Sequence, residues 1–214
     1  MTNKPYTLLV ALDFSELSDR ALHEAFAQAS QRASSEVHVL TALPMVGDLL
    51  SVYGTLDEKS FLGEALQKLR THTDTELDKF RLEQPAASVS FPVISHAIVD
   101  APAHAIVQLA SNLAADLIVI GTSNRKGLER LLLGSVAEGT VRNAHCPVLV
   151  IPAPPEPEAE IKLDPPCAEC VQARTASAGK ELWCEQHRER HGRRHTYHQS
   201  DRSGADSNFP LVFR

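Results

Sequence analysis

The sequence predicts an α/β chain: a five-stranded, mostly parallel sheet with helices on both faces, followed by a small metal-stabilised tail. Three observations carry this expectation. Continuous apolar runs near residues 6–13, 37–43, 116–120 and 147–151 have the texture of strands covered on both faces. Amphipathic segments of helical period lie between them, and alternation of strand and helix implies parallel βαβ units with right-handed crossovers. After Ile151 the composition shifts to a proline-rich spacer, and then to cysteines and histidines at metal-ligand spacing.

Tyr6 to Asp13 reads as the first strand, an apolar run that ends in a carboxylate. Ser15 then serves as an N-cap. Glu16 and Asp19 stand in the first turn where the helix dipole favours acids, and Leu17, Ala21, Leu22, Ala25, Phe26 and Ala29 form one apolar face. Val37–Leu43 is the second strand, closed by Pro44, with an irregular loop over 45–54. A long helix is expected from about Asp57 to Glu83, its stripe supplied by Phe61, Leu62, Leu66, Leu69, Leu77 and Phe80.

Val89–Ile94 begins the third strand, with Pro92 marking an irregular or edge-facing position. Pro102 opens a helix carrying Ala105, Ile106, Leu109, Ala110 and Leu113. The strand Asp116–Ile120, a glycine-bounded loop, a short helix from Ser135 and the strand Pro147–Ile151 complete the pattern. The last strand is an apolar edge that pairing with a second copy of the chain would cover, so a homodimer through it is expected.

Residues 121–135 form the most informative segment. The apolar strand stops at Gly121, and Gly134-Ser135 precedes a helix, so backbone N–H groups and a hydroxyl face the loop in the manner of an anion site. The alternative is that Gly121 and Gly134 are turn glycines flanking a surface loop. Arg125 and Lys126 either neutralise phosphate or are simply solvated. Asp13 either caps the first helix or meets a ligand.

The segment resembles the nucleotide motif of the universal stress protein family, in which Gly, two residues, Gly, nine residues, Gly and then Ser or Thr follow one another. Here those positions are Gly121, Asn124, Gly134 and Ser135; the spacing is kept and Asn124 replaces one glycine. Leu12-Asp13-Phe14-Ser15, the block Leu128–Glu138 and the closing Ala144–Pro152 are also similar to that family, and the resemblance spans about Pro5 to Pro152. It implies a Rossmann-like, adenine nucleotide alpha hydrolase-like fold that binds ATP or AMP, with or without Mg²⁺. It places Leu12, Asp13 and Ala42 near the adenosine, and Gly121, Asn124, Arg125, Gly134, Ser135 and Val136 near the phosphates. It also implies the last-strand homodimer and a role in stress response.

Residues 1–152 are therefore read as one domain, 153–166 as a linker and 167–214 as a tail. The stretch 152–166 holds six prolines and four acids in fifteen residues and is an extended spacer. In the tail, Cys167-Ala-Glu-Cys170 and Cys184-Glu-Gln-His187 are two ligand pairs separated by thirteen residues, a spacing suited to one tetrahedral Zn²⁺. His191, His195 or His198 could stand in for His187. A redox dithiol or unrelated thiols in a disordered tail are the competing readings. Cys146 is read as a small buried hydrophobe outside the site.

The net charge of −6 is uneven: residues 1–166 are acidic, whereas 167–214 carry eight Lys and Arg against six Asp and Glu, with four of the ten histidines. The acidic part argues against broad nucleic-acid binding by that part, whereas the basic, histidine-rich stretch 188–198 either meets nucleic acid or an acidic partner or is a solvated or disordered tail. No run approaches the ~20 apolar residues of a membrane helix and no signal-peptide pattern opens the chain, so a cytoplasmic location is expected. No array suited to a general base and no full Walker sequence is present. The expected function is a nucleotide-occupied regulator with at most slow ATP hydrolysis, or self-phosphorylation at Ser135 or Thr122. The alternative is a nucleotide-independent dimeric interaction module whose zinc tail recruits a protein or nucleic acid.

Overall fold

Strand β1 (Tyr6–Ala11) occupies the centre of a five-stranded sheet in which every pairing is parallel. The others are β2 (Ser35–Leu43), β3 (Val93–Val99), β4 (Leu117–Gly121) and β5 (Val148–Ile151), in the order β3-β2-β1-β4-β5. The computed structural model describes residues 4–43, 58–87, 89–122, 134–153 and 164–192, and the chain divides into two units, 1–155 and 156–214. Among the described residues, no helix is long and apolar enough to cross a membrane.

Alternation along β1 builds two cores. Leu8 and Val10 pack with Leu22, Ala25 and Phe26 of α1 (Glu16–Ser30) and with Leu69 and Phe80 of α2 (Glu58–Glu83). Leu9 points the other way, onto Ile106 and Leu109 of α3 (Pro102–Leu113) and Ala137 of α4 (Ser135–Asn143). This two-sided burial is why the strands are continuously apolar. Each fully buried Leu, Val or Phe contributes about 1.5–3 kcal/mol from the area it removes from water. The first core is anchored by aromatic rings, with Phe26 5.6 Å from Phe80 and 5.9 Å from Phe91 between centroids.

The helix ends follow local rules. Ser15 caps α1, its hydroxyl accepting the Ser18 N–H at 3.3 Å. Pro102 opens α3, and Ala114, left-handed at φ 49°, closes it with its N–H on the Ala110 and Ser111 carbonyls.

Three expectations are corrected. Strand β3 begins at Val93, not Val89, because Pro92 has no N–H to offer a ladder; its carbonyl accepts the Val37 N–H at 3.0 Å, and Phe91 turns into the first core instead. Phe61 is exposed rather than part of the α2 stripe. The last strand starts at Val148, one residue past Pro147.

The second unit contains α5 (Ala168–Ala176) and α6 (Glu185–Gly192), two helices that the residue pattern did not announce. The turn after α5 is closed by Gly179 N–H on the Arg174 carbonyl at 2.8 Å and Ala178 N–H on the Thr175 carbonyl at 3.3 Å, with both residues left-handed. Among the described residues of this unit apolar burial is sparse: α5 has no buried residue, and Leu182 and Trp183 are half-buried.

Gly121 shows how tightly α1 lies on the sheet. A Cβ there would stand 2.7 Å from the Leu17 carbonyl oxygen and 2.8 Å from its carbon, both backbone atoms that cannot rotate away. Gly121→Ala is therefore expected to destabilise the first unit by about 1–3 kcal/mol. Urea unfolding checks this; a variant as stable as the wild type would mean that the helix–sheet contact is looser than described.

Candidate functional site

In a parallel sheet every strand delivers its C-terminal end to the same edge. From β1 the chain moves outward through β2 and β3, then returns to the far side of β1 for β4 and β5. The helices that follow β1 and β4 pack on opposite faces of the sheet, α1 in the first core and α4 in the second, and the switch point between these two neighbours is where open α/β sheets form a ligand crevice.

The residues singled out in the sequence converge on this edge. Leu12 and Asp13 follow β1, Ala42 lies near the end of β2, Gly121 ends β4, and Gly134, Ser135 and Val136 begin α4. Asn124, Arg125, Lys126 and the run 128–133 lie outside the described residues. Leu12 is a core residue whose N–H donates to the Leu40 carbonyl at 2.8 Å, and Ala42 packs half-buried against the second core.

Asp13 is exposed, and both readings of it hold geometrically. Its Oδ1 accepts the Ser15 N–H at 3.0 Å just ahead of α1, while the residue follows the C-terminal end of β1, at the switch-point edge of the sheet. Partial burial pushes its pKa up, but hydrogen bonds from Ser15 and Ser18 outweigh this and hold it below its ordinary value. The carboxylate is thus ionised at neutral pH and a poor base.

Between Asp13 and the cap sits Phe14 at φ 63°, left-handed backbone that costs a non-glycine residue roughly 1–2 kcal/mol. Its ring is held edge-on to His72, 5.3 Å between centroids, under the Lys68 ammonium at 4.3 Å. Strain sustained by packing next to an exposed carboxylate is characteristic of a ligand site.

Gly134 is the N-cap of α4 and has no side chain to satisfy the first-turn N–H groups. Those groups and the exposed Ser135 hydroxyl form an N-terminus suited to an anion. Gly121 has a different reason to be glycine, namely the Leu17 backbone.

In the second unit, Cys167, Cys170, Cys184 and His187 come together, with one ligand atom from each lying within 4.8 Å of all the others. Cys170 Sγ is 3.6 Å from Cys184 Sγ and 3.4 Å from His187 Nδ1, and Cys184 Sγ is 3.5 Å from that same nitrogen. Ligands about 2.3 Å (sulfur) and about 2.0–2.1 Å (nitrogen) from a tetrahedral centre stand about 3.8 Å and about 3.6 Å apart, close to what is found here.

The local cause is a repeated construction. Cys167 caps α5 and Cys170 lies in its first turn; Cys184 likewise accepts the His187 and Arg188 N–H groups at the start of α6, with His187 in the first turn. Each pair thus projects from a helix N-terminus, where backbone N–H groups favour thiolate. The Cys170 N–H pulls the Cys167 pKa down against the opposing effect of burial, whereas burial pushes the Cys184 thiol up. His195 and His198 lie outside the described residues, and Cys146 is half-buried against the second core of the other unit.

One constellation was missed in the sequence. Asp19 and His23 on α1 face His72 and Glu76 on α2, and the signal was there to read: an acid and a histidine four residues apart on each helix.

Comparison with known proteins agrees with this architecture. Universal stress protein Sll1388 of Synechocystis sp. is 32% identical over 153 residues, covering 67% of this chain and 96% of that protein. Universal stress protein MJ0577 of Methanocaldococcus jannaschii is 28% identical over 152 residues, and its solved structure superimposes with a TM-score of 0.50 over 72% of this chain and 100% of that one. A second relative from that organism, MJ0531, is 60% identical over 53 residues, 31% of its own length. A universal stress protein of Archaeoglobus fulgidus, solved in complex with dAMP, is 25% identical with a TM-score of 0.47, over 71% of this chain and 99% of that one. Residues 6–152 match the model of the universal stress protein family, to which this chain belongs.

Proposed function

We propose that the chain is a nucleotide-occupied regulator of the stress response. The crevice over β1 and β4 takes ATP or AMP, with or without Mg²⁺, and the second unit holds one structural Zn²⁺ that shapes it for contact with a partner protein. The observation that carries the first part is that β1 leads into the ionised Asp13 carboxylate and its neighbour β4 precedes the side-chain-free N-terminus of α4, on the two strands that flank the sheet's switch point. A carboxylate accepts ribose hydroxyls, and first-turn N–H groups bind phosphate. Leu12 and Ala42 would flank the adenosine. Gly121, Asn124, Arg125, Gly134, Ser135 and Val136 would line the phosphates.

Occupancy rather than turnover is the favoured role. Among the described crevice residues Leu12, Asp13, Ala42, Gly121, Gly134, Ser135 and Val136, only Asp13 titrates, and its lowered pKa makes it a weak general base. Calorimetry with ATP, ADP and AMP is expected to show binding that Gly134→Val weakens at least tenfold. No heat from any of the three with the wild-type chain would end the nucleotide reading and favour a ligand-free interaction module.

The same family membership supports a homodimer through β5, which is an edge strand of half-buried Val, Leu, Val and Ile. Light scattering at tens of micromolar is expected to give twice the chain mass; a monomer would overturn this.

For the second unit, the near-tetrahedral spacing of three sulfurs and one imidazole nitrogen supports Zn²⁺, and the sparse apolar burial leaves metal binding as the source of folding energy. Elemental analysis is expected to find Zn²⁺ on the purified chain, with one equivalent per chain lost in Cys184→Ser. Chelation should expose residues from about 167 to 192 to protease while the first unit stays resistant. Four freely titrating thiols in metal-free purified protein would refute it.

A further inference from the structure

The geometry points to a second metal site, in the groove between α1 and α2, where Asp19, His72 and Glu76 bind a divalent transition ion of the zinc class. One ligand atom from each residue lies within 4.8 Å of the others. His72 Nε2 is 2.6 Å from Asp19 Oδ1, and His23 Nε2 is 3.0 Å from Glu76 Oε2, so His23 stands ready as a fourth ligand or as the outer partner that orients Glu76.

Two features separate this cluster from ordinary surface ion pairs. Glu76 is 4% exposed, and a carboxylate that far out of water needs a cation beside it. Asp19, His23 and Glu76 also line a groove of about 730 Å³ that presents five carboxylates against Arg20 and Lys79, an excess of negative charge when the histidines are neutral. The present cation is Lys79, whose Nζ lies 2.6 Å from Glu76 Oε1 although its own side chain is 56% exposed. A metal would compete with this mobile ammonium for the same carboxylate. Imidazole beside carboxylate favours Zn²⁺, Co²⁺ or Mn²⁺ over Mg²⁺ or Ca²⁺. Ligand atoms about 2.0–2.2 Å from an ion stand roughly 3.0–3.5 Å apart, so His72 and Asp19 need to separate by under about 1 Å, within the reach of half-buried side chains.

The site lies next to the crevice without being part of it. His72 also supports the Phe14 ring, and Asp19 donates its N–H to the Ser15 carbonyl in the first turn of α1. Metal binding at His72 would therefore fix the support under the strained residue that follows Asp13.

The test uses the full-length chain with Cys170→Ser and Cys184→Ser, which removes the thiolate site, titrated with Co²⁺ and followed by visible absorption and calorimetry. One equivalent is expected, with the weak d–d bands of a nitrogen and oxygen site and no sulfur charge-transfer band. His72→Gln and, independently, Asp19→Asn should each weaken binding at least tenfold. Lys79→Ala should tighten it severalfold by freeing Glu76, a change that a purely structural ion pair does not produce. Absence of Co²⁺ binding in the double-serine chain, binding indifferent to both His72→Gln and Asp19→Asn, or weaker binding in Lys79→Ala would each overturn the proposal.

Discussion

The parallel pairing of β1 with β2 on one side and β4 on the other is the constraint on which the rest of the molecule depends. Val10 is opposite Val39 and Val119 at once, and its neighbours Leu8 and Leu9 are fully buried on opposite faces. Asp116 fixes the start of this arrangement, its carboxylate accepting the Thr7 N–H at 2.8 Å and its own N–H donating to the Thr7 carbonyl. With β1 held from both sides, the ends of β1 and β4 are adjacent while the helices that follow them, α1 and α4, pack on opposite faces. The crevice is thus a product of strand order, and the side chains around it refine what topology has already opened.

Most of the first unit was legible in the sequence because burial on both faces leaves a plain signature. The apolar runs at 6–11 and 117–120, the Ser15 cap and the Pro102 start all appear where local rules put them. Where local rules failed, a tertiary contact had decided. Phe91 looked like strand because it is apolar and aromatic, yet it leaves the ladder to stack on Phe26. The glycine at 121 could be read for phosphate or for a turn, and only the position of the Leu17 backbone shows why a side chain is refused.

The second unit was legible in its Cys/His cluster and silent in its helices. Residues 168–176 and 185–192 are short and have little apolar periodicity, so nothing in the composition marks them, whereas cysteine and histidine at fixed spacing are recognisable without any fold. The groove between α1 and α2 failed for the opposite reason. Asp19, His23, His72 and Glu76 lie on two helices that only tertiary packing brings face to face, and in the sequence each alone reads as an ordinary residue of a solvated helix face, Glu76 included although it is buried in the fold.

The central place of β1 also sets the order in which the molecule can form. Its partner β2 is near in the chain, but Leu8 must wait for Leu117, more than a hundred residues later, and such non-local closure is slow. During synthesis, a chain that has emerged only through β3 presents β1 as a bare apolar edge, open to any other strand. The β1–β4 edge does not exist at that stage, so nothing that binds there could template the fold; it could only stabilise the finished one, and until β4 arrives the apolar edge of β1 stays open to association.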